Sequence, residues 1–287
     1  MLRSMTAFAS AEADSGRGTL AVELRSVNHR YLELGLRLPD ELRSLEPQLR
    51  ERVAAKLSRG KVDLGLRYKP AVADAAALVV DEVLLARLAE TAQALAPRFP
   101  QMQVEFAALL AWPGVLLNRE TDQESLRSDA LELLERALAE MVAAREREGA
   151  RLGGFLRERL DAIERIVGEV RAQMPEIRAS LRARFDARVA ELKQPLDPGR
   201  LEQEIVLQLQ RIDVDEELDR LSAHIGEARR VLGLREAVGR RLDFLMQEFN
   251  REANTLGSKS ADPRTTAAAV ELKVLIEQMR EQVQNLE

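Results

Sequence analysis

Apolar residues change their spacing along this chain, and this change restricts the folds that it can adopt. In the first seventy residues they occupy every second position of three stretches, Leu20–Leu24, Leu32–Leu38 and Val62–Tyr68. Such alternation predicts half-buried β-strands. Between the second and third strands, the apolar residues from Leu42 to Leu57 recur at steps of three and four. This spacing predicts a helix that covers one face of the sheet.

Beyond residue 70 the steps of three and four predominate, which predicts a mostly helical remainder. Residues 141–193 are dense in Arg, Glu, Leu and Ala, with an interruption at Pro175. We expect a long helical hairpin here, exposed to solvent and crossed by charge pairs. Amphipathic helices are predicted over Leu201–Leu234, Gly239–Leu256 and Thr265–Glu287.

Together these patterns predict an α+β protein. A small N-terminal antiparallel sheet-plus-helix domain precedes a mostly α-helical region with a long helical hairpin arm. The predicted boundaries place the N-terminal α+β domain and its helical extension at 1–142, the hairpin arm at 143–200, and a C-terminal helical domain with the candidate site at 201–287. A chain of 287 residues is long enough for two domains to bury separate cores.

The sequence contains no cysteine. Disulfides, thiolate zinc sites and cysteine nucleophiles are therefore excluded, and the composition suits a reducing compartment. There is no run of roughly eighteen apolar residues, as a membrane helix requires, and the first residues lack the layout of a secretory signal. We expect a cytoplasmic protein that has no membrane partner.

The formal net charge of −5 hides an uneven distribution. Residues 1–70 hold 13 of the 43 basic and 9 of the 48 acidic residues, so the remainder holds 30 and 39. Because charges act over only about 8 Å at physiological salt, the basic N-terminal part can bind a polyanion locally. On the predicted strands Arg25, Arg37, Arg67 and Lys69 share the face away from the helix. That face is either an RNA-binding surface or a solvated one.

Two of the predicted C-terminal helices carry polar flanks beside their apolar stripes. The flank on the first consists of Asp213, Glu217, Arg220 and His224. The flanks on the second consist of Asp243, Gln247, Asn250 and Asn254 on one side, and Arg241, Glu248 and Glu252 on the other. Partial burial makes carboxylates good metal ligands and tunes histidine pKa values. The alternative interpretation is a solvated face stabilised by ion pairs one helical turn apart.

Carboxylate and amide oxygens with a single imidazole suit Mg²⁺ or Mn²⁺ better than zinc. In phosphodiester cleavage such an ion polarises the phosphate, a His or Glu moves protons, and Arg or Lys stabilises the developing charge. The sequence has no HExxH, P-loop, GxSxG or Rossmann fingerprint. Their absence argues against zincins, P-loop NTPases, α/β-hydrolases and dehydrogenases.

Six stretches carry a resemblance to a known family. They are Met1–Phe8, Arg25–Glu33, Arg59–Asp63, Trp112–Val115, Arg211–Leu221 and Gly239–Leu256. On these stretches the chain resembles the bacterial YicC/YloC family of endoribonucleases, over nearly its full length. The resemblance implies cleavage of RNA with a divalent cation, in a ring-shaped homohexamer whose central channel closes on the RNA. It also allows association with other RNA-decay enzymes.

Within the matching stretches and the polar flanks we assign roles as hypotheses. The candidate catalytic residues are Glu217, His224, Glu248 and Glu252. The candidate ligands of Mg²⁺ or Mn²⁺ are Asp213, Glu217, Glu248 and Glu252. The candidate RNA contacts are Arg25, Arg30, Arg67, Arg220, Arg251, Asn250, Asn254 and Lys259.

Two further hypotheses belong to other functional classes. In the first, the chain is a non-catalytic RNA-binding adaptor that presents RNA to another nuclease. In the second, it is a stress-related scaffold that assembles through its helical arm. Cleavage of labelled RNA that depends on a divalent cation and on Glu217 and Glu248 separates the nuclease from the adaptor, and light scattering tests the assembly.

Overall fold

Four strands and eight α-helices make up the described part of the chain. A computed structural model describes residues 2–15, 18–70, 80–116, 123–191, 198–234 and 236–287. The strands are β1 (Ala7–Ser15), β2 (Gly18–Val27), β3 (Leu32–Arg37) and β4 (Gly60–Pro70). The helices are α1 (Glu46–Lys56), α2 (Glu82–Leu95), α3 (Phe106–Leu110), α4 (Gln123–Ala190), α5 (Pro198–Arg211), α6 (Asp215–Leu232), α7 (Gly239–Lys259) and α8 (Pro263–Val283). The predicted α+β class is confirmed.

The strands form one mixed sheet in the order β1-β2-β4-β3. Strand β2 pairs antiparallel with β1 and β4, whereas β3 runs parallel to β4. The expectation of a wholly antiparallel sheet was wrong for this last pair, because α1 lies between the two strands and returns the chain to the end where β3 began. Strand β1 was not predicted. Its alternating positions hold alanines, which are poor strand formers.

One face of this sheet packs against α1 and the first part of α4. Alternate residues of β2 and β4 are buried there: Leu20, Val22, Leu24, Val62, Leu64 and Leu66. Helix α1 contributes Leu49 and Val53, and α4 contributes the stripe from Leu126 to Met141. The helix predicted between the strands is confirmed, with a short 3₁₀ helix at Asp40–Leu45 in front of α1. These residues form the first hydrophobic core.

Helix α4 has 68 residues and is therefore about 100 Å long at a rise of 1.5 Å per residue. It continues through Pro175, so the hairpin predicted at this proline was wrong. Pro175 is exposed, while Met174 and Ile177 beside it are buried. The hydrogen bond that a proline removes therefore lies on the solvent side, where water replaces it and a helix tolerates the loss.

The chain reverses only after Ala190, and helix α5 then packs back against α4. Arg182 of α4 pairs with Glu202 of α5 at 2.9 Å, and Ile205 of α5 is 2% exposed. Residues 192–197, which connect the two helices in the sequence, lie outside the described residues. A helical pair therefore exists, but its first helix extends far beyond the predicted turn.

A second hydrophobic core lies between the later part of α4 and helices α6, α7 and α8. The helices predicted over Gly239–Leu256 and Thr265–Glu287 are confirmed as α7 and α8. A single helix over Leu201–Leu234 was wrong, because the chain breaks between α5 and α6. At this break Asp213 Oδ1 accepts a hydrogen bond from the backbone N–H of Asp215 at 3.2 Å, a local turn that competes with helix.

Within the described ranges, no helix combines the length and the apolar character needed to span a membrane.

The two ends of the chain meet beside the part of α4 that separates the two cores. Ser4 and Leu286 form an antiparallel bridge. Arg145 of α4 donates from Nε to Ser4 O at 2.6 Å and from Nη2 to Arg59 O at 3.3 Å, and it pairs with Glu287 at 3.2 Å. Burial lowers the pKa of Arg145, and the Glu287 carboxylate opposes this shift. This arrangement, the Arg145 clamp, connects α4, the sheet and both chain ends.

Candidate functional site

Three side chains from two neighbouring helices converge in the second half of the molecule. One ring nitrogen of His224 on α6 and one carboxylate oxygen each of Glu248 and Glu252 on α7 all lie within 4.8 Å of one another. The two glutamates are one helical turn apart, so they project from the same side of α7. Packing of α6 against α7 brings the imidazole to them. We call these three residues the His-Glu-Glu cluster.

Much of the His-Glu-Glu cluster is shielded from solvent. Glu252 is 1% exposed, and the other two residues are half-buried. Nε2 of His224 is buried and has no hydrogen-bond partner among the described residues. Its ring packs edge-on against Phe249, with the ring centroids 5.8 Å apart. Because buried polar atoms nearly always have a partner, the unpaired nitrogen is the feature of the cluster that calls for a ligand.

Two arginines contact the carboxylates of the cluster. Arg251 pairs with Glu248 through Nη1 and with Glu252 through Nη2, each at 3.2 Å. Arg220 lies 3.6 Å from Glu252. Oε1 of Glu252 has these ion-pair contacts but no hydrogen bond of good geometry. Both guanidinium groups are about half exposed, so they face the solvent and the carboxylates at once.

A second buried carboxylate lies on α6, next to a lysine. Glu217 is 3% exposed, and Lys259 Nζ donates to its Oε1 at 2.7 Å. Its Oε2 is buried without a hydrogen-bond partner among the described residues. Lys259 follows the helix that was predicted over Gly239–Leu256, yet it lies in the last turn of α7, where a cation interacts favourably with the helix dipole. Glu217 is not among the residues that converge within 4.8 Å.

Asp213 lies at the break between α5 and α6, away from the cluster. It pairs with Arg178 of α4 at 2.9 Å, and the same guanidinium reaches Asp215 at 2.7 Å. The hydrogen bond to Asp215 is the main reason that the pKa of Arg178 is raised, and Asp213 adds to it. Asp213 thus forms an ion pair at the surface. The role of Asp213 as a metal ligand stays a prediction.

The sheet face that was predicted to be basic carries both signs of charge. Arg25 lines an open cavity together with Glu23, Asp63 and Glu148. Arg67 forms an ion pair with Glu23 across the strands. The charge of this face is therefore mixed, and Arg25 and Arg67 stay predicted RNA contacts.

The amides predicted on α7 bond to neighbours on the same helix. Asn254 Nδ2 donates to Asn250 Oδ1 at 3.0 Å, and Gln247 Nε2 donates to Asp243 at 3.2 Å. Arg30 lies elsewhere, in a cleft that it shares with Arg59 and Arg240. Neither of the last two was predicted. Arg59 stands in one of the matching stretches, but no periodic pattern indicated that it meets α7.

Fold and site together define an α+β protein with a candidate divalent-cation centre on its C-terminal helices. Two family models match the chain: "Endoribonuclease YicC-like, N-terminal region" over residues 2–154 and "Endoribonuclease YicC-like, C-terminal" over residues 170–287. It is 44% identical over 287 residues to the "Probable endoribonuclease YicC" of Haemophilus influenzae, with both chains fully covered. It is 29% identical over 293 residues to the protein of that name from Clostridioides difficile, again over both full lengths. The chain belongs to the YicC-like endoribonuclease family.

Proposed function

We propose that this protein is an endoribonuclease that hydrolyses phosphodiester bonds in RNA with a divalent metal ion. The observation that carries the proposal is the convergence of His224, Glu248 and Glu252. The buried imidazole nitrogen of His224 has no hydrogen-bond partner among the described residues. The names of the two relatives support RNA as the substrate.

The donor set of the His-Glu-Glu cluster fits Mg²⁺ or Mn²⁺. Two carboxylates provide the hard oxygen ligands that both ions prefer, and the imidazole favours Mn²⁺ over Mg²⁺ because magnesium binds nitrogen poorly. The three ligand atoms come within 4.8 Å of one another, close enough for one ion. A cation bound there would supply Lewis-acid polarisation of the scissile phosphate.

The side chains around the cluster are our candidates for binding the phosphate and for accepting a proton. Arg251 and Arg220, half exposed beside the carboxylates, are placed to contact a phosphate that enters from solvent and to stabilise its developing negative charge. Glu217 has a buried, unpaired Oε2 and is our candidate proton acceptor. Lys259 holds the other carboxylate oxygen of Glu217 and so orients the side chain.

Assembly into a homohexameric ring around an RNA channel is part of the proposal, as are a cytoplasmic location and association with other RNA-decay enzymes. Exposed apolar side chains support the assembly. Helix α2 has no buried residue, and Phe99, Phe106 and Trp112 are each more than half exposed. Large exposed apolar patches mark interaction surfaces in soluble proteins, and these side chains are our candidates for such a surface. A single monomer species in light scattering would contradict the ring.

Charge-neutral substitutions test the metal centre directly. We expect Glu248→Gln and Glu252→Gln each to reduce cleavage of labelled RNA in Mn²⁺ or Mg²⁺ by about 100-fold or more, since each removes a negative ligand. Both variants should also bind Mn²⁺ more weakly by electron paramagnetic resonance without RNA. Asp219→Asn is the matched control, because this exposed carboxylate pairs with Arg171 instead.

The same assay separates the nuclease from the adaptor. Wild-type cleavage that persists in EDTA, and equally in both glutamine variants, would exclude the metal centre. RNA binding without cleavage by the wild type, in either metal, would support the adaptor that presents RNA to another nuclease.

A further inference from the structure

Three arginines from distant parts of the sequence line one cleft. Arg30 follows β2, Arg59 precedes β4, and Arg240 is in the first turn of α7. The cleft has a volume of about 300 Å³ and also includes Asn28 and Asp243. It lies where the sheet approaches the C-terminal helices, apart from the His-Glu-Glu cluster. We call it the arginine cleft.

The arginine cleft carries more positive than negative charge. None of the three forms an ion pair with a carboxylate of the described residues. Arg59 Nε donates to Arg30 O at 3.3 Å, and the Arg30 guanidinium lies 5.1 Å from the centroid of the Tyr31 ring. Arg241, the next residue of α7, is by contrast paired with Glu227 at 2.7 Å. With Asp243 as its one acidic lining residue, the cleft has a net positive charge.

The backbone around the cleft is held in place. Arg59 O accepts from the buried Arg145, and the turn into β4 depends on Gly60, whose φ of 108° suits glycine. Gly239, beside Arg240, lies so close to the C-terminal segment that a Cβ there would come within 2.3 Å of Leu286 O. Arg59 and Arg240 are therefore anchored on fixed backbone, which lowers the entropic cost of binding an anion.

An exposed aromatic residue lies between the cleft and the candidate metal centre. Arg240, Phe244, Gln247 and Arg251 follow one another along α7 at steps of four, three and four, so they share one face. Phe244 is 60% exposed. Exposed aromatic rings among cations are what single-stranded nucleic acids stack on.

The spacing along α7 matches a short length of nucleic acid. Arg240 and Glu248 are eight residues apart, which corresponds to about 12 Å of helix axis. One strand of a DNA duplex advances about 3.4 Å per nucleotide, and we take this spacing for stacked bases. The distance therefore spans three to four nucleotides.

We propose that the arginine cleft is a second RNA-binding site, which holds a backbone phosphate three to four nucleotides from the bond that is cut, while Phe244 stacks on a base between them. The ligand is single-stranded RNA, because stacking requires unpaired bases and the cations recognise the phosphodiester chain. The distance between the cleft and the bond that is cut rests on the proposed function, whereas RNA binding at the cleft does not.

Binding of a labelled single-stranded 12-nucleotide RNA in EDTA tests the cleft without cleavage. We expect Arg59→Gln and Arg240→Gln each to weaken binding about tenfold or more, as loss of a charged hydrogen-bond donor does. Each should also lower the slope of log affinity against log salt by about 0.7. Arg241→Gln is the matched control and should bind like the wild type, since its guanidinium is held by Glu227.

Phe244 is tested by two substitutions in the same assay. Phe244→Ala should weaken binding by about fivefold or more, and Phe244→Trp, which keeps a flat ring, should restore it. Thermal melting of every variant confirms that it is folded. Because Arg240 and Phe244 are exposed, their replacement should leave the melting temperature nearly unchanged.

The outcomes distinguish this site from the proposed activity. Wild-type affinity in both arginine variants would overturn the arginine cleft, even if cleavage in Mn²⁺ is normal. Inorganic phosphate that binds the wild type but not these variants, with RNA affinity unchanged, would also overturn it in favour of a free-anion site. If the variants lose RNA binding while the wild type fails to cleave in any metal, the cleft stands and the proposed nuclease function fails.

Discussion

Charged side chains on the surface of the C-terminal helices differ in how firmly they are held, and Glu227 is an informative case. Arg230 holds its carboxylate at 2.7 and 2.8 Å, and Arg241 holds it at 2.7 Å. The hydrogen bond from Arg230 is the largest of the causes that lower the pKa of Glu227 to about 2, from an ordinary value of 4.5. The folded state therefore keeps this carboxylate ionised at a pH where the unfolded chain protonates it.

A pH-dependent contribution to stability follows from this lowered pKa. Since the folded pKa is depressed, the contribution is complete above about 4.5 and is lost as the pH falls toward about 2. We expect Glu227→Gln to destabilise the protein at pH 7 and to make less difference at pH 3. Urea unfolding of both proteins at the two pH values measures this. A stability difference that grows on acidification would contradict the assigned ion pairs.

The members of the His-Glu-Glu cluster could be predicted from the sequence, but their convergence could not. All three members stood on polar flanks that the sequence indicated, because steps of three and four place side chains on one face of a helix. The rotation of one helix against another is set by packing between them, which no single-helix pattern contains. For that reason Asp213 and Glu217 could not be distinguished from His224 as neighbours of Glu248 and Glu252.

At the scale of elements, helix α4 contains two glycines that differ in how closely other atoms approach them. Gly149 lies against the N-terminal segment, where an added Cβ would come within 2.3 Å of Leu2 O. At Gly154, one and a half turns further along, an added Cβ would meet no atom within 4 Å. The first glycine permits close approach of two backbones, and the second has no such contact.

Replacement of these glycines by alanine should therefore act in opposite directions. Gly149→Ala should destabilise the protein by about 1–3 kcal/mol, because backbone atoms must move. Gly154→Ala should stabilise it by about 0.5–1 kcal/mol, because alanine is the better helix former. Denaturant unfolding of the two variants measures both effects. Equal changes in free energy at the two positions would show that the close approach at Leu2 does not constrain α4.

Element by element, predictions from sequence succeeded where side-chain periodicity was strong. Strands β2 and β4 and helices α7 and α8 have leucine and valine at regular steps, and each was predicted in place. Strand β1 has alanines at those steps, and its pairing with β2 decides its structure. Pro175 indicated a break, yet the buried stripe through Met174 and Ile177 keeps α4 helical. Tertiary contacts overrode local preference in both places.

At the scale of the whole molecule, one helix belongs to both hydrophobic cores. Residues of α4 from Leu126 to Met141 pack under the sheet, and those from Leu156 to Ile177 pack with α6, α7 and α8. The arginine cleft depends on this arrangement, because Arg59 comes from the first half and Arg240 from the second. The relative position of the halves is thus as important for the proposed RNA path as any single contact.

The Arg145 clamp fixes that relative position, and its loss should be costly. Arg145→Met leaves the Glu287 carboxylate, only 9% exposed, without its cation, and leaves Ser4 O without its donor. Breaking a buried pair from one side destabilises by about 3–5 kcal/mol. Urea unfolding should show this loss, and Glu287→Met in addition should recover part of it.

Arg147→Gln, which breaks an exposed pair with Glu140, should change stability by less than about 0.5 kcal/mol. Arg145→Met should also weaken RNA binding at the arginine cleft, since Arg59 O loses its buried donor. A variant that unfolds within about 1 kcal/mol of the wild type would mean that packing along α4 alone holds the two halves together.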